Sequence, residues 1–295
     1  MITKEMIDRI NELAKKKKTE PLLVNIYGQP PSVDNTFRGD LEEIQRVLET
    51  IGVKTNTFFI RQDGVEQLKN SGNAALNINI SPWLGKNIDT FFQVKFGIPT
   101  LTFNGWPIGP KDVANFLRTV AAKLNELNPG TIDSEVVEKA VKAEEQYVYE
   151  YLDSLMGTFE RQRFVIVGDS AKVLGIMRFL VNIHGHIPLA AIFTDTVPAK
   201  NRQTIIDEVA NLDCNRKADV FFETDTYEIE DLVKKYGDGK ATLLIGSSFD
   251  KRAAQAIGAF FVIATNPNLG SKILNKTHIG TKGCVTFIED MYNHY

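Results

Sequence analysis

Short apolar segments alternate with amphipathic helical segments along this chain, and this alternation limits the fold more than any other feature. The run from Pro21 to Gly28 is a buried-type strand that ends in glycine, and a helical stripe follows from Asp40 to Gly52. A further apolar strand runs from Ala74 to Ile80. Strands that alternate with helices favour parallel sheets with right-handed crossovers. We therefore predict an α/β protein built from doubly wound, Rossmann-like parallel sheets.

The pattern divides the chain into four regions. A helical pattern occupies residues 1–20, and the first Rossmann-like domain is predicted over 21–130, where an Asn-Pro-Gly sequence breaks the pattern. A long helical pattern from Ile132 to Met156 forms the linking region 131–160, and the second Rossmann-like domain is predicted over 161–295. The remaining predicted strands are Val53–Ile60, Ile98–Phe103, Arg163–Val167, Ile187–Phe193, Asp219–Phe222, Thr242–Ile245 and Phe260–Ala264.

Composition and charge exclude several classes of protein. The formal net charge of −3 gives no general attraction to nucleic acid or to anionic membranes. No apolar run approaches the roughly 20 residues that span a bilayer, and Met1–Ala14 is amphipathic rather than a signal peptide. The two cysteines, Cys214 and Cys284, are far apart in sequence, which argues against a disulfide framework or a cysteine-rich metal site. We expect a cytoplasmic protein without nucleic-acid or membrane partners.

Polar residues and glycines follow three of the predicted strands. Open α/β sheets bind ligands at the carboxyl ends of their strands, and two such sheets can form a cleft. Each residue also has a structural interpretation, since glycine permits tight turns, Asp and Ser cap helices, and tryptophan packs in cores. The candidates for this cleft are Ser81, Trp83, Gly168, Asp169, Ser170, Ser247 and Ser248.

The histidines contribute one further candidate. His278 lies in a loop before the last predicted helix, and we include it among the cleft residues. His184 and His186 lie between a helix and a strand, where we predict an exposed turn, and a metal site there would need a third ligand. The sequence contains no GxSxG, HExxH or P-loop motif. We therefore predict neither a self-contained catalytic set nor a metal site on this chain.

Several of these segments together resemble the nitrogenase component 1 family. That family includes the α and β chains of the molybdenum–iron protein, a cofactor-assembly scaffold and dark-operative protochlorophyllide reductase. The likeness runs in order from Leu22 to Asn293. The segments that carry it most clearly are Asn25–Gly28, Gly39–Ile44, Ala75–Ile78, Phe96–Pro99, Arg163–Asp169, Val173–Gly175, Arg178–Leu180, Ala218–Val220, Gly246–Ser248, Gly280–Gly283 and Ile288–Asp290.

The resemblance implies a particular type of subunit. Family subunits have three Rossmann-like domains, and this chain resembles the second and third, whereas the first supplies the cysteines of the bridging iron–sulfur cluster. In the α chains a cysteine holds the iron–molybdenum cofactor at the end of the strand that aligns with Ala74–Ile80. Ser81 occupies that place here, and a hydroxyl is a poor substitute for a soft thiolate. The chain thus looks like a β-type subunit, with an iron–sulfur cluster or iron–molybdenum-type cofactor present only in the full assembly.

Two functional hypotheses follow. On the first, the chain is a β-type nitrogenase-like oxidoreductase subunit, or a fragment of one, that acts as scaffold and partner surface. The resemblance then implies an α-type sister subunit or a homo-oligomer, an ATP-dependent iron–sulfur reductase and a link to nitrogen fixation, and we expect the isolated chain to be inactive. On the second, it is a cytosolic binding or assembly module that holds a metal chelate, metallocofactor or tetrapyrrole between its domains, with Trp83 and Trp106 offering flat apolar surface.

Overall fold

A computed structural model describes residues 4–28, 34–58, 60, 64–81, 83, 86–153, 160–269 and 272–293. Two parallel sheets organise the chain, which confirms the predicted α/β architecture. The first sheet has the order β2-β1-β3-β4 and the second β7-β6-β5-β8-β9, and every pairing is parallel. The strands are β1 (Glu20–Tyr27), β2 (Lys54–Asn56), β3 (Ala74–Asn79), β4 (Thr100–Thr102), β5 (Arg163–Gly168), β6 (Ile187–Phe193), β7 (Asp219–Phe222), β8 (Leu243–Gly246) and β9 (Phe260–Ile263).

Helices flank both sheets, as the alternating pattern predicts. The long helix in the linking region begins at Ser134 and ends at Asp153, and residues 154–156 of the predicted helix lie outside the described residues. The helices are α1 (Lys4–Leu13), α2 (Phe37–Glu49), α3 (Gly64–Asn70), α4 (Lys86–Phe96), α5 (Gly109–Leu127), α6 (Ser134–Asp153), α7 (Ser170–Asn182), α8 (Ala199–Ala210), α9 (Thr226–Gly237), α10 (Lys251–Ile257) and α11 (Gly280–Tyr292).

Strand β2 is shorter than the predicted strand Val53–Ile60. It ends at Asn56 because the side-chain oxygen of Gln67 accepts hydrogen bonds from the next two backbone N–H groups, those of Thr57 and Phe58. A side chain that captures backbone donors in this way competes with the sheet ladder. The hydrophobic pattern continues beyond Asn56, but the backbone pairing does not.

One hydrophobic core runs through both sheets and joins them. It contains Ile26 and Ile78 from the first sheet, Ile166 and Ile245 from the second, and Phe179 from helix α7 between them. The last helix, α11, returns to pack on α2, α5 and α6 of the first half. The two sheets are therefore parts of one packed body. Among the helices that the structure describes, none combines the length and apolarity needed to cross a membrane.

The two halves approach each other closely where the segment 104–108 crosses helix α7. The backbone N–H of Trp106 donates to the carbonyl of Ala171 at 3.0 Å. A Cβ atom on Gly105 would lie 2.7 Å from that same carbonyl oxygen, and one on Gly175 would lie 2.5 Å from the carbonyl oxygen of Trp106. Glycine is required at both positions because backbone approaches backbone without room for a side chain.

Candidate functional site

The carboxyl ends of β3 and β5 face each other across the seam between the two halves, and Trp83 bridges them. Its indole Nε1–H lies 2.8 Å from both the hydroxyl of Ser170 and a carboxylate oxygen of Asp195. Asp195 in turn accepts hydrogen bonds from the backbone N–H and the hydroxyl of Ser170, at 2.9 and 2.5 Å. Trp83 of the first half is thus hydrogen-bonded directly to residues that follow strands of the second half.

A buried ion cluster lies beside this bridge. The ammonium of Lys172, from α7, is 2.8 Å from a carboxylate oxygen of Asp34 and 3.4 Å from one of Asp40, both in the first half. The Thr36 hydroxyl lies 2.7 Å from the same nitrogen, and the Thr277 hydroxyl donates to Asp40 at 2.6 Å. Burial lowers the pKa of Lys172, but the surrounding carboxylates outweigh it and hold that pKa above its usual value. The lysine therefore stays charged and ties the halves together.

Asp169 is the N-cap of α7 and the third carboxylate near this lysine. One oxygen accepts the backbone N–H of Lys172 at 3.1 Å, and the other makes no hydrogen bond with any residue that the structure describes. Burial raises the pKa of Asp169 to about 6, against the lowering effect of the lysine charge. Asp169 is thus a helix cap that carries a poorly solvated negative charge at neutral pH.

This gives a pH-dependent prediction for Asp169→Asn. The folded-state pKa lies above the reference value of 3.8, so stability from this group is lost as the pH rises through about 6. Asparagine caps helices equally well. We expect the variant to gain about 3 kcal/mol in unfolding free energy at pH 7.5, and to gain nothing below pH ~4, as measured by urea denaturation.

The matched control is Asp225→Asn, because Asp225 is the exposed N-cap of α9. We expect its unfolding free energy to change by less than about 0.5 kcal/mol at either pH. A gain for Asp169→Asn that is the same at pH 4 and pH 7.5 would contradict the assignment. Each variant is compared with the wild type at the same pH. This comparison is needed because buried histidines, described below, also change the protein's stability over this pH range, in the direction opposite to Asp169.

The other strand-end candidates have local structural partners. A Cβ on Gly168 would lie 2.5 Å from the Cβ of Thr265, so the glycine permits two chain segments to cross. Ser247 and Asp250 form a capping box, and the Ser248 hydroxyl accepts the backbone N–H of Leu269 at 2.7 Å. Within the described residues, no hydrogen bond joins the serine pair to Ser81 or Trp83. Ligand binding by these residues stays a prediction.

His278 is buried at the start of the last helix. Its Nε2 lies 2.6 Å from a carboxylate oxygen of Asp290, and its ring packs edge-on against Phe287 with centroids 5.2 Å apart. With Lys172 and Asn268 it lines a cavity of about 20 Å³. A cavity of that size has room for about one water molecule. The histidine therefore reaches the seam, and the cavity that it lines there with the described residues is too small for a cofactor.

The prediction of an exposed turn at His184 and His186 is wrong. His186 is buried, its Nδ1 accepts the backbone N–H of Gln162 at 2.9 Å, and its ring stacks on that of His184 at 5.8 Å. His184 is half-buried, edge-on to Phe179. Burial lowers the pKa of each imidazole to about 4. Ring stacking and a backbone donor make this turn part of the core.

A model of the nitrogenase component 1 type oxidoreductase family matches residues 1–295. The chain belongs to this family.

Relatives and solved structures agree with that assignment. The B component of the light-independent protochlorophyllide reductase of Heliobacterium modesticaldum is 23% identical over 250 residues, covering 85% of this chain and 45% of the relative. The corresponding component from Chlorobium luteolum is 25% identical over 181 residues, covering 57% and 33%. The structure of nitrogenase Cp1 at pH 6.5 has the same fold, with a TM-score of 0.72 at 17% identity, covering 98% of this chain and 63% of that one. The chain thus spans less than half the length of these curated relatives.

The residues of the seam do not fit the metal cluster that the nitrogenase component 1 family implies. Such clusters are held by thiolates, whereas Ser81 presents a buried hydroxyl. Cys284 is buried in α11, where its thiol lies 3.1 Å from the carbonyl of Thr281 and burial raises its pKa. Cys214 lies in the loop after α8. Across the described ranges, no group of three or more His, Cys, Asp or Glu side chains is arranged to hold a metal ion.

Sequence reasoning did not identify the residues whose contacts join the two halves at the seam, namely Asp34, Asp40, Lys172 and Asp195. One signal was present in the helix that became α7. Its sequence is apolar on almost every face, so Lys172 had no solvent-facing side to occupy. A lysine in such a helix needs a buried carboxylate partner. The carboxylates themselves lie in loops and helix starts, where acidic residues are ordinary and give no signal.

Proposed function

We propose that this chain is the β-type component of a nitrogenase-like reductase, and that it acts as a scaffold and partner surface. The proposal rests on one observation, which is that the chain's own side chains close the seam between its two halves. Trp83 is bonded to Asp195 and Ser170, and Lys172 is bonded to carboxylates of the other half. The edge where open α/β sheets bind ligands is therefore filled by the chain's own side chains.

The same geometry disfavours a module that holds a tetrapyrrole or metal chelate between its halves. A flat ring there would have to displace the Trp83 indole and break its hydrogen bonds to Asp195 and Ser170. It would also have to separate Lys172 from its buried carboxylates, which is costly because each charge would lose its partner. Trp106, the second flat surface considered, is buried beneath the crossing with α7.

Exposed apolar side chains supply surface for a partner. In the loops after β8 and β9, Phe249 is 60% exposed, Leu269 is 71% exposed and Leu274 is 83% exposed. Helix α6 adds exposed Tyr149 and Tyr151. Exposed apolar groups of this kind are typical of protein–protein contacts when they cluster. We assign them to an α-type sister chain, since the protochlorophyllide reductase relatives are themselves subunits.

The activity belongs to the assembly on this proposal. The isolated chain is inactive, and electrons come from an ATP-dependent iron–sulfur reductase through clusters held mainly by other parts. The relatives from Heliobacterium modesticaldum and Chlorobium luteolum are protochlorophyllide reductase subunits. They favour reduction of a tetrapyrrole over nitrogen fixation as the reaction of the complete assembly.

A paired substitution tests the partner surface. The chain is co-expressed with the α-type subunit from the same organism and captured through a tag on that subunit. We expect Phe249→Asp with Leu269→Asp to weaken the complex by at least about 30-fold, because even one buried interface anchor contributes about 2 kcal/mol. The affinity is measured by biolayer interferometry.

The control is Val94→Asp on helix α4, a residue that is 81% exposed but lies outside the strand-end loops. We expect this variant to bind as the wild type does. Equal weakening by both changes would point to a non-specific effect of added charge. The absence of any complex with the wild-type chain would contradict the proposed function itself.

A further inference from the structure

A second cleft opens between the two halves, away from the closed seam. It has a volume of about 500 Å³ and lies between helix α5 of the first half and helices α7 and α8 of the second. Its floor is the segment that follows strand β4, including Phe103 and Asn104. Clefts of roughly 300–1,000 Å³ hold small molecules. None of the strand-end candidates lines it.

The charged groups of this cleft are engaged with one another, because one guanidinium is shared by two carboxylates. The Arg178 guanidinium donates to Asp112 at 2.6 Å and to Glu208 at 3.3 Å. It also donates to the backbone carbonyls of Asn104 and Trp106, at 2.9 and 3.2 Å. The Asn104 side chain donates to the other oxygen of Glu208 at 2.5 Å. Among the described lining residues, the cleft thus offers no free cation to an anionic ligand, and both carboxylates already accept hydrogen bonds, which favours an uncharged ligand.

Carboxamides provide the remaining polar surface. Asn115 on α5 and Asn211 at the end of α8 face the cleft and are exposed. Among the described residues, neither side chain makes a hydrogen bond. Asn182 completes the set, with its side-chain oxygen accepting the backbone N–H of Asp213 at 2.9 Å. Carboxamides both donate and accept hydrogen bonds, and hydroxyl groups do the same.

An aromatic wall lies beside these amides. The rings of Phe103 and Phe116 pack at 4.8 Å, with Phe116 buried behind the half-buried Phe103. Polar side chains outnumber apolar ones around the cleft, unlike the mostly apolar pockets that hold hydrophobic cofactors. A ligand that suits both features has a ring with a C–H face and several hydroxyl groups.

We propose that this cleft binds a neutral, polyhydroxylated ring compound of monosaccharide size, a sugar or a cyclitol. Asn115 and Asn211 hydrogen-bond its hydroxyl groups from opposite walls, and Phe103 packs against its C–H face. Arg178, Asp112 and Glu208 hold the two walls at a fixed separation. This site is independent of the proposed function, because none of the exposed apolar residues assigned to the partner surface lines the cleft.

Saturation-transfer NMR on the full chain tests the proposal, with D-glucose, myo-inositol and tetrahydropyran as probes. Tetrahydropyran has the sugar ring without its hydroxyl groups. We expect transfer to glucose or myo-inositol, with affinity at least about tenfold above that for tetrahydropyran, because two or more hydrogen bonds are lost with the hydroxyls. No transfer to either hydroxylated probe, or equal binding of tetrahydropyran, would overturn the proposal.

A double variant in the cleft and a control variant outside it test whether the ligand binds in this cleft. Asn115→Ala with Asn211→Ala removes both free carboxamides from exposed positions and is expected to weaken binding about tenfold. Asn215→Ala is the matched control, since Asn215 is exposed in the loop after α8 and lies outside the cleft. Circular dichroism confirms that each variant is folded. Unchanged binding in the double variant, or equal loss in the control, would place the ligand elsewhere and overturn the proposal.

Discussion

Replacing Lys172 with methionine is expected to lower the free energy of unfolding by about 3–5 kcal/mol, because removing one partner of a buried ion pair leaves uncompensated charge. Methionine fills much the same volume, so the loss reports the missing charge rather than a cavity. Two carboxylates of the first half, Asp34 and Asp40, would remain buried beside a neutral side chain. Urea denaturation followed by circular dichroism measures the change.

Two companion variants make this prediction specific. Lys234→Met removes a lysine whose ion pair with Glu230 lies on the surface, where solvent screens the charges, and we expect a much smaller loss than for Lys172→Met. Combining Lys172→Met with Asp40→Asn should recover part of the loss, because one of the carboxylate charges that Lys172 balances is also removed. A Lys172→Met protein as stable as the Lys234→Met protein would show that the cluster does not hold the halves together.

The second large effect is expected for Gly105→Ala at the crossing with α7. Gly105 has a φ of +103°, and the added methyl group would lie 2.7 Å from the carbonyl oxygen of Ala171. Backbone strain contributes about 1–2 kcal/mol, and forcing the two halves apart contributes about 1–3 kcal/mol more. We therefore expect a loss of about 3 kcal/mol in unfolding free energy, measured by urea denaturation.

Gly130→Ala separates these two contributions. Gly130 also has a positive φ, +78°, but an added methyl group there meets no atom within 4 Å. We expect a loss of about 1 kcal/mol for this variant, which reports backbone strain alone. Equal losses at Gly105 and Gly130 would mean that the close approach of the halves contributes nothing to stability.

Local patterns predicted the elements well because the relevant physics is local. The limits of β6, Ile187–Phe193, were predicted from one apolar run and are unchanged in the structure. The helical pattern after β5 runs from Lys172 to about Val181, but helix α7 begins two residues earlier, at Ser170, because Asp169 caps it. Where a distant side chain intervenes, as Gln67 does at the end of β2, the pattern alone gives the wrong boundary.

The site was less predictable because its contacts are long-range. Ser81, Trp83, Asp169 and Ser170 were identified as strand-end residues, yet the bond from Trp83 to Asp195 joins positions 112 residues apart. No periodicity encodes such a pairing. The sequence showed which edge of each sheet faces the other half. It did not show that side chains would close that edge.

The most direct test of the scaffold proposal is an anaerobic purification of the chain alone and together with its α-type sister subunit, with iron measured in both preparations. We expect the isolated chain to be colourless and free of stoichiometric iron. We expect the co-expressed chains to form a stable complex that contains iron. An isolated chain that carries an iron cluster through Ser81 or Cys214, or one that forms no complex with the sister subunit, would contradict the account.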